Sequence, residues 1–80
     1  MNDPDVHQHI EDLVAEEHRL LEKAENGGME AAEHERLGRI NVQLDRYYDL
    51  LRQRRARREF DQDTETAQLR PGAVVEKYLQ

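Results

Sequence analysis

The run Asn26-Gly27-Gly28 divides residues 1–60 into two segments, each with apolar residues at helical spacing. Glycine reaches left-handed backbone angles without steric cost, so the pair ends one helix and turns the chain. A turn this short sends a following helix back along the first. Before it, Val6, Ile10, Leu13, Val14, Leu20, Leu21 and Ala24 form an apolar stripe, interrupted by Glu17. After it, Leu37, Ile40, Leu44, Tyr47 and Leu51 recur at alternating steps of three and four, the seam of a coiled-coil-like packing. The pattern predicts an all-α antiparallel helical hairpin, with one helix at about 4–26 and the other at about 30–60.

Asp3-Pro4-Asp5 is a strong start for the first helix. Asp3 is placed to cap free backbone N–H groups, Pro4 suits the first turn, and Asp5 suits the positive end of the helix dipole. Within the second helix, Gly38 is the one weak residue, costing ~1 kcal/mol relative to alanine. Facing positions should sum to about 55, so that Ile10 lies near Leu44, Leu13 near Val42 and Glu17 near Arg39. At ~1.5 Å per residue the helices span ~34 and ~46 Å, which leaves Arg52 to Phe60 as an overhang.

Residues 61–70 read as a polar linker, and Pro71 opens a short C-terminal helix at about 71–79. Its apolar pairs, Val74–Tyr78 and Val75–Leu79, are too few to hold a helix alone, so it must dock. The chain is thus one domain, a hairpin over 1–60 with a linker and docking segment over 61–80. Val42 and Leu50 lie off the main stripe, more apolar surface than two helices cover. A chain of 80 residues without cysteine has a core worth only ~3–5 kcal/mol. Both facts lead to the expectation of a homodimeric helical bundle.

Hydrophobic residues make up 36% and charged residues 38%, a balance that favours order only because the apolar positions are periodic. No apolar run approaches the ~18 residues of a membrane span, and Met1 to Asp5 lack the basic and apolar regions of a signal peptide. A cytoplasmic protein with no membrane partner is expected. The net charge of −6 is divided as −9 over residues 1–35, +6 over 36–58 and −3 over 59–80. Acidic and basic helices side by side attract, selecting the pairing more than stabilising it.

Arg52-Gln53-Arg54-Arg55-Ala56-Arg57-Arg58 is the most informative segment. Arg54, Arg55 and Arg58 fall within about 60° of the seam on a helical wheel, while Arg52 and Arg57 point away. The seam therefore continues past Leu51 with arginine in place of leucine. Candidate counter-charges are Asp3 and Asp5 in the first helix, and Asp61, Asp63 and Glu65 in the linker. Guanidinium groups pair bidentately with carboxylate or phosphate. One reading is a set of internal or intersubunit salt bridges. Another is a surface for an acidic protein. The alternative is a nucleic-acid or phospholigand site using Tyr47 and Tyr48 as stacking partners. The acidic remainder of the chain opposes nucleic acid as a partner. The candidate interaction surface is Tyr47, Tyr48, Arg52, Arg54, Arg55, Arg57 and Arg58.

Nothing points to catalysis. The chain has no serine or cysteine, and Thr64 and Thr66 are its only non-phenolic hydroxyls. His7 and His9 diverge on their helix, and although His18 and His34 face across the hairpin, neither Glu-x-x-His nor His-Glu-x-x-His occurs. No metal, cofactor or enzymatic activity is expected.

The stretch Leu44-Asp45-Arg46-Tyr47-Tyr48-Asp49-Leu50-Leu51-Arg52-Gln53-Arg54-Arg55-Ala56-Arg57-Arg58-Glu59-Phe60 resembles a family of small, chiefly actinobacterial proteins, domain of unknown function 2630. His9-Ile10, Leu13-Val14-Ala15-Glu16-Glu17-His18, Glu33-His34-Glu35-Arg36-Leu37, Arg70-Pro71 and Val75-Glu76-x-Tyr78 extend the resemblance over the whole chain. The family commonly carries a cysteine–tryptophan pair where this chain has Tyr47-Tyr48. The resemblance implies source and size and supplies no mechanism.

Overall fold

The computed structural model describes residues 1–60 and 62–79, with side chains to Glu76. The elements are α1 (Asp3–Glu25), α2 (Ala31–Glu59), a 3-10 turn (Thr64–Thr66) and α3 (Gly72–Leu79). The described residues are all-helical apart from their connections.

Asn2, rather than Asp3, caps α1. Its side chain accepts from Asp5 N–H at 2.9 Å, and the Asp5 carboxylate accepts in return from Asn2 N–H at 3.2 Å. This reciprocal box satisfies two donors at the helix start and releases the Asp3 side chain for other partners. At the other end Gly27 takes φ +70°. Gly27 N–H donates to Ala24 O at 3.0 Å and Gly28 N–H to Lys23 O at 2.8 Å. That pair of bonds is the Schellman stop. On α2 the start is held by Glu30 N–H donating to the Glu33 carboxylate at 3.1 Å.

Contacts between α1 and α2 run in opposite numerical directions. Lys23 Nζ reaches Glu33 at 2.6 Å, Arg36 forks onto Glu16, the His9 and Tyr47 rings stack at 5.2 Å, and Arg58 reaches Asp3. Val6, Ile10, Leu20, Ile40, Leu44 and Leu50 form the buried cluster, flanked by half-buried Leu13, Val14, Leu37 and Tyr47. Leu51, expected on the seam, is only partly buried, whereas Leu50 is buried. The reason is that α2 has a second covered face. Arg46, Gln53 and Arg54, the helical neighbours of Leu50, all bond to the returning tail. Leu21 remains 44% exposed and Val42 37% exposed.

The linker climbs back along α2. Gln53 Nε2 donates to Gln68 O at 2.8 Å and Arg46 Nε to Arg70 O at 2.9 Å. The chain then reaches Gly72, where an added Cβ would lie 2.7 Å from Val42 Cγ1, so only glycine permits this approach. α3 starts here, with Pro71 O accepting from Val74 and Val75 N–H, and buries Val75 completely. The proposed pairs with Tyr78 and Leu79, and the candidate carboxylate Asp61, lie outside the described residues and side chains.

Candidate functional site

The arginine block does not stand free as an overhang, because both the chain start and the linker fold over it. Arg54 is 5% exposed. Its Nε donates to Asp3 Oδ1, its Nη1 to Met1 O at 2.8 Å and to Thr64 O at 3.1 Å, and its Nη2 lies 3.6 Å from Glu65. One guanidinium thereby ties three stretches of backbone together. The arrangement is local in origin. The 3-10 turn is set by Asp63, whose carboxylate accepts from Glu65 N–H at 2.9 Å while its carbonyl accepts from Thr66 Oγ1. The Thr64 carbonyl and the Glu65 carboxylate are thereby presented to α2.

Arg58 Nη1 donates to the other Asp3 oxygen at 2.8 Å. Two guanidinium groups on one carboxylate hold Asp3 below the usual aspartate range, chiefly through the Arg54 hydrogen bond and against the opposing effect of desolvation. Arg54 is pushed up in turn, first by that same bond.

The remaining candidate residues part company. Arg55, expected to face α1, is 75% exposed, with Glu59 at 3.9 Å on its own helix. Asp3 pairs with Arg54 and Arg58 instead. Arg52 is 53% exposed and lies 3.8 Å from Asp49. Arg52, Arg55 and Arg58 line, with Asp3, His7 and Leu51, a cavity of about 240 Å³. Arg57 lies on another side of α2, in a hollow of about 210 Å³ with Gln53, Ala56, Phe60 and Gln62, and its Nε is buried without a hydrogen-bond partner. Tyr47 presents its ring to His9, nearly parallel at 7°. Tyr48 is 42% exposed. The seven residues therefore divide among several faces of one helix, with Arg52, Arg55 and Arg58 sharing one cavity.

Asp49 is the group that sequence reasoning missed. It is 2% exposed and held by three donors. Arg70 forks onto it, Nε to Oδ2 at 2.9 Å and Nη2 to Oδ1, and Gln53 Nε2 donates at 2.9 Å. Arg70 first, then Gln53, pull its carboxyl below the usual range although burial raises it. The available signal was spacing. Arg46, Arg52 and Gln53 stand three or four positions from Asp49 on the helix, and Arg70-Pro71 ends the linker. A second carboxyl behaves oppositely. Glu76 of α3 titrates above its ordinary value, first because its proton bridges to Asp45 and then through desolvation. Among the described residues no group of three or more His, Cys, Asp and Glu side chains is arranged to hold a metal, and no helix is long and apolar enough to cross a membrane.

The family described as protein of unknown function (DUF2630) matches residues 2–80. An uncharacterised protein of Mycobacterium bovis is 46% identical over 77 residues, spanning 95% of this chain and 88% of its own length. Uncharacterised proteins of two Mycobacterium tuberculosis strains match with the same identity over the same extent. No solved structure matches the chain.

Proposed function

The chain belongs to the DUF2630 family of unknown function, and we propose that this member is a non-enzymatic interaction protein. It is an antiparallel helical hairpin, cytoplasmic and homodimeric, that engages an acidic protein segment through Arg52, Arg55 and Arg58. The observation that carries the reading is the unequal use of the arginines. Arg54 spends its donors inside the chain. Arg52 and Arg55 are more than half exposed, with carboxylates no nearer than 3.8 and 3.9 Å. Together with His7, Arg58 and Asp3, whose carboxylate is already paired with Arg54 and Arg58, they surround a cavity with Leu51 in its wall. Guanidinium groups around an apolar wall suit a carboxylate side chain and the methylenes that carry it.

Support for a hairpin comes from the descending order of the cross-helix contacts, from Lys23–Glu33 to Asp3–Arg58. Support for a non-enzymatic role comes from the carboxyls, since Asp3 and Asp49 are held ionised by arginine and suit structure better than proton transfer. A phospholigand site built on Tyr47 is less favoured, because His9 already occupies a face of that ring.

Titration with a glutamate-rich peptide and with a single-stranded oligonucleotide of equal charge tests the assignment. The peptide should bind at low salt, release as salt rises, and lose affinity for an Arg52→Ala/Arg55→Ala variant of unchanged helicity. Binding of neither probe ends the proposal. Preference for the oligonucleotide transfers it to the nucleic-acid reading.

A further inference from the structure

Gly38 lies well inside α2, where glycine weakens a helix, yet nothing among the described residues requires it. A Cβ built at Gly38 meets no atom within 4 Å. The contrast with Gly72 is direct, since there a Cβ would collide with Val42. Gly38 also forms part of an open groove of about 460 Å³, lined by Glu35, Gly38, Arg39, Val42 and Gln43. On this lane of α2 the tail bonds to Gln53 and Arg46 and reaches Val42 with Gly72. Among the described residues the lining of the groove includes none from α1 or the tail, and Val42 stays 37% exposed at its edge.

We propose that this groove is the contact between two copies of the chain, with their α2 helices crossing antiparallel at Gly38 about a two-fold axis. The inference rests on the self-association proposed above and names its surface. Three features select a second copy as the occupant. Glycine lets two helix backbones approach closely, which its place on an open face otherwise leaves without purpose. Val42, exposed one turn further along the same lane, then packs against the other copy's α2. Glu35 and Arg39 make the patch self-complementary. They are 77% and 63% exposed and only 3.9 Å apart on their own helix. An antiparallel two-fold crossing brings Glu35 of each copy within reach of the second copy's Arg39. A parallel crossing would set like charges against each other, so the charges choose the orientation.

Sedimentation equilibrium from micromolar to millimolar protein, with circular dichroism on each variant, tests the surface. Wild type should dimerise, and Gly38→Leu should weaken the dimer by about tenfold or more while keeping its helicity. Glu35→Arg should weaken it too, and Glu35→Arg/Arg39→Glu should restore it. These two charge variants decide the matter should Gly38→Leu fail to fold. A wild-type monomer at every concentration overturns self-association altogether. A wild-type dimer indifferent to the glycine and charge changes overturns this surface and leaves the dimer standing.

Discussion

Glu16–Arg36 and Asp49–Arg70 are both forked carboxylate–guanidinium pairs, but they sit in different solvents. The first lies toward the Gly27-Gly28 turn, with side chains 21% and 43% exposed. The second lies where the tail covers α2, and its aspartate side chain is 3% exposed. Near the turn an ion pair joins two helices that the apolar core already holds. At the far end the pairs join α2 to the chain start and the linker, which have little apolar surface of their own. The same chemistry is a supplement in one region and the means of assembly in the other. Burial decides between them, because removing one member of a buried pair strands a charge that water cannot reach.

The sharpest way to break the comparison is Arg70→Ala. It leaves Asp49 buried with Gln53 and a distant Arg52, and should cost about 3 kcal/mol in urea unfolding, most of what so small a core supplies. Asp3→Asn comes next, at about 1.5 kcal/mol near neutral pH, through loss of charge-assisted bonds to Arg54 and Arg58. This variant also separates the regions by pH. The Asp3 and Asp49 carboxyls are depressed below the ordinary aspartate value of 3.8. Their stabilisation is therefore complete above that value and lost as pH falls through the lower folded values. A melting series in acid should show a shallower decline for Asp3→Asn than for wild type. Near the turn, Arg36→Ala should cost only about 0.5 kcal/mol, and the difference should shrink with added salt. An effect as large as that of Arg70→Ala would erase the distinction.

The smallest change has the opposite sign. Glu76 is raised above its ordinary value of 4.5, so its contribution is fully present below that pH and fades as pH rises through the folded value. Glu76→Gln keeps a neutral donor toward Asp45 and should raise the melting temperature slightly at neutral pH, with no gain in acid. A lower melting temperature would show that the proton between Asp45 and Glu76 does not govern how α3 docks.

Much of this was legible in advance, and particular residues explain the rest. The helix boundaries fell within one residue of the pattern because caps and stops act over four or five positions. Asn2 with Asp5, and Gly27-Gly28 with Ala24 and Lys23, are of that kind. Asp3 was read as the cap because Asn2 and Asp3 both suit that place, and only the bonds made elsewhere distinguish them. The helical wheel sets Arg54, Arg55 and Arg58 on the seam side, but it does not decide which of them is buried. Arg54 and Arg55 are sequence neighbours, one buried and one exposed. Asp49 drew no reading from the sequence, because its burial depends on the tail and Arg70 covering it.

Residue order alone fixed what depends on near neighbours: two amphipathic helices, the turn between them, the short last helix and the sharp partition of charge. Periodicity and capping are written within a turn or two of chain. The folded molecule decided which arginine is entombed, which carboxylate becomes its counter-ion and which face stays open. Asp3 and Arg54 are 51 positions apart, and Asp49 and Arg70 are 21 apart. Whether such groups meet depends on the path of the linker over α2, a choice made by burial and hydrogen bonding across the whole chain.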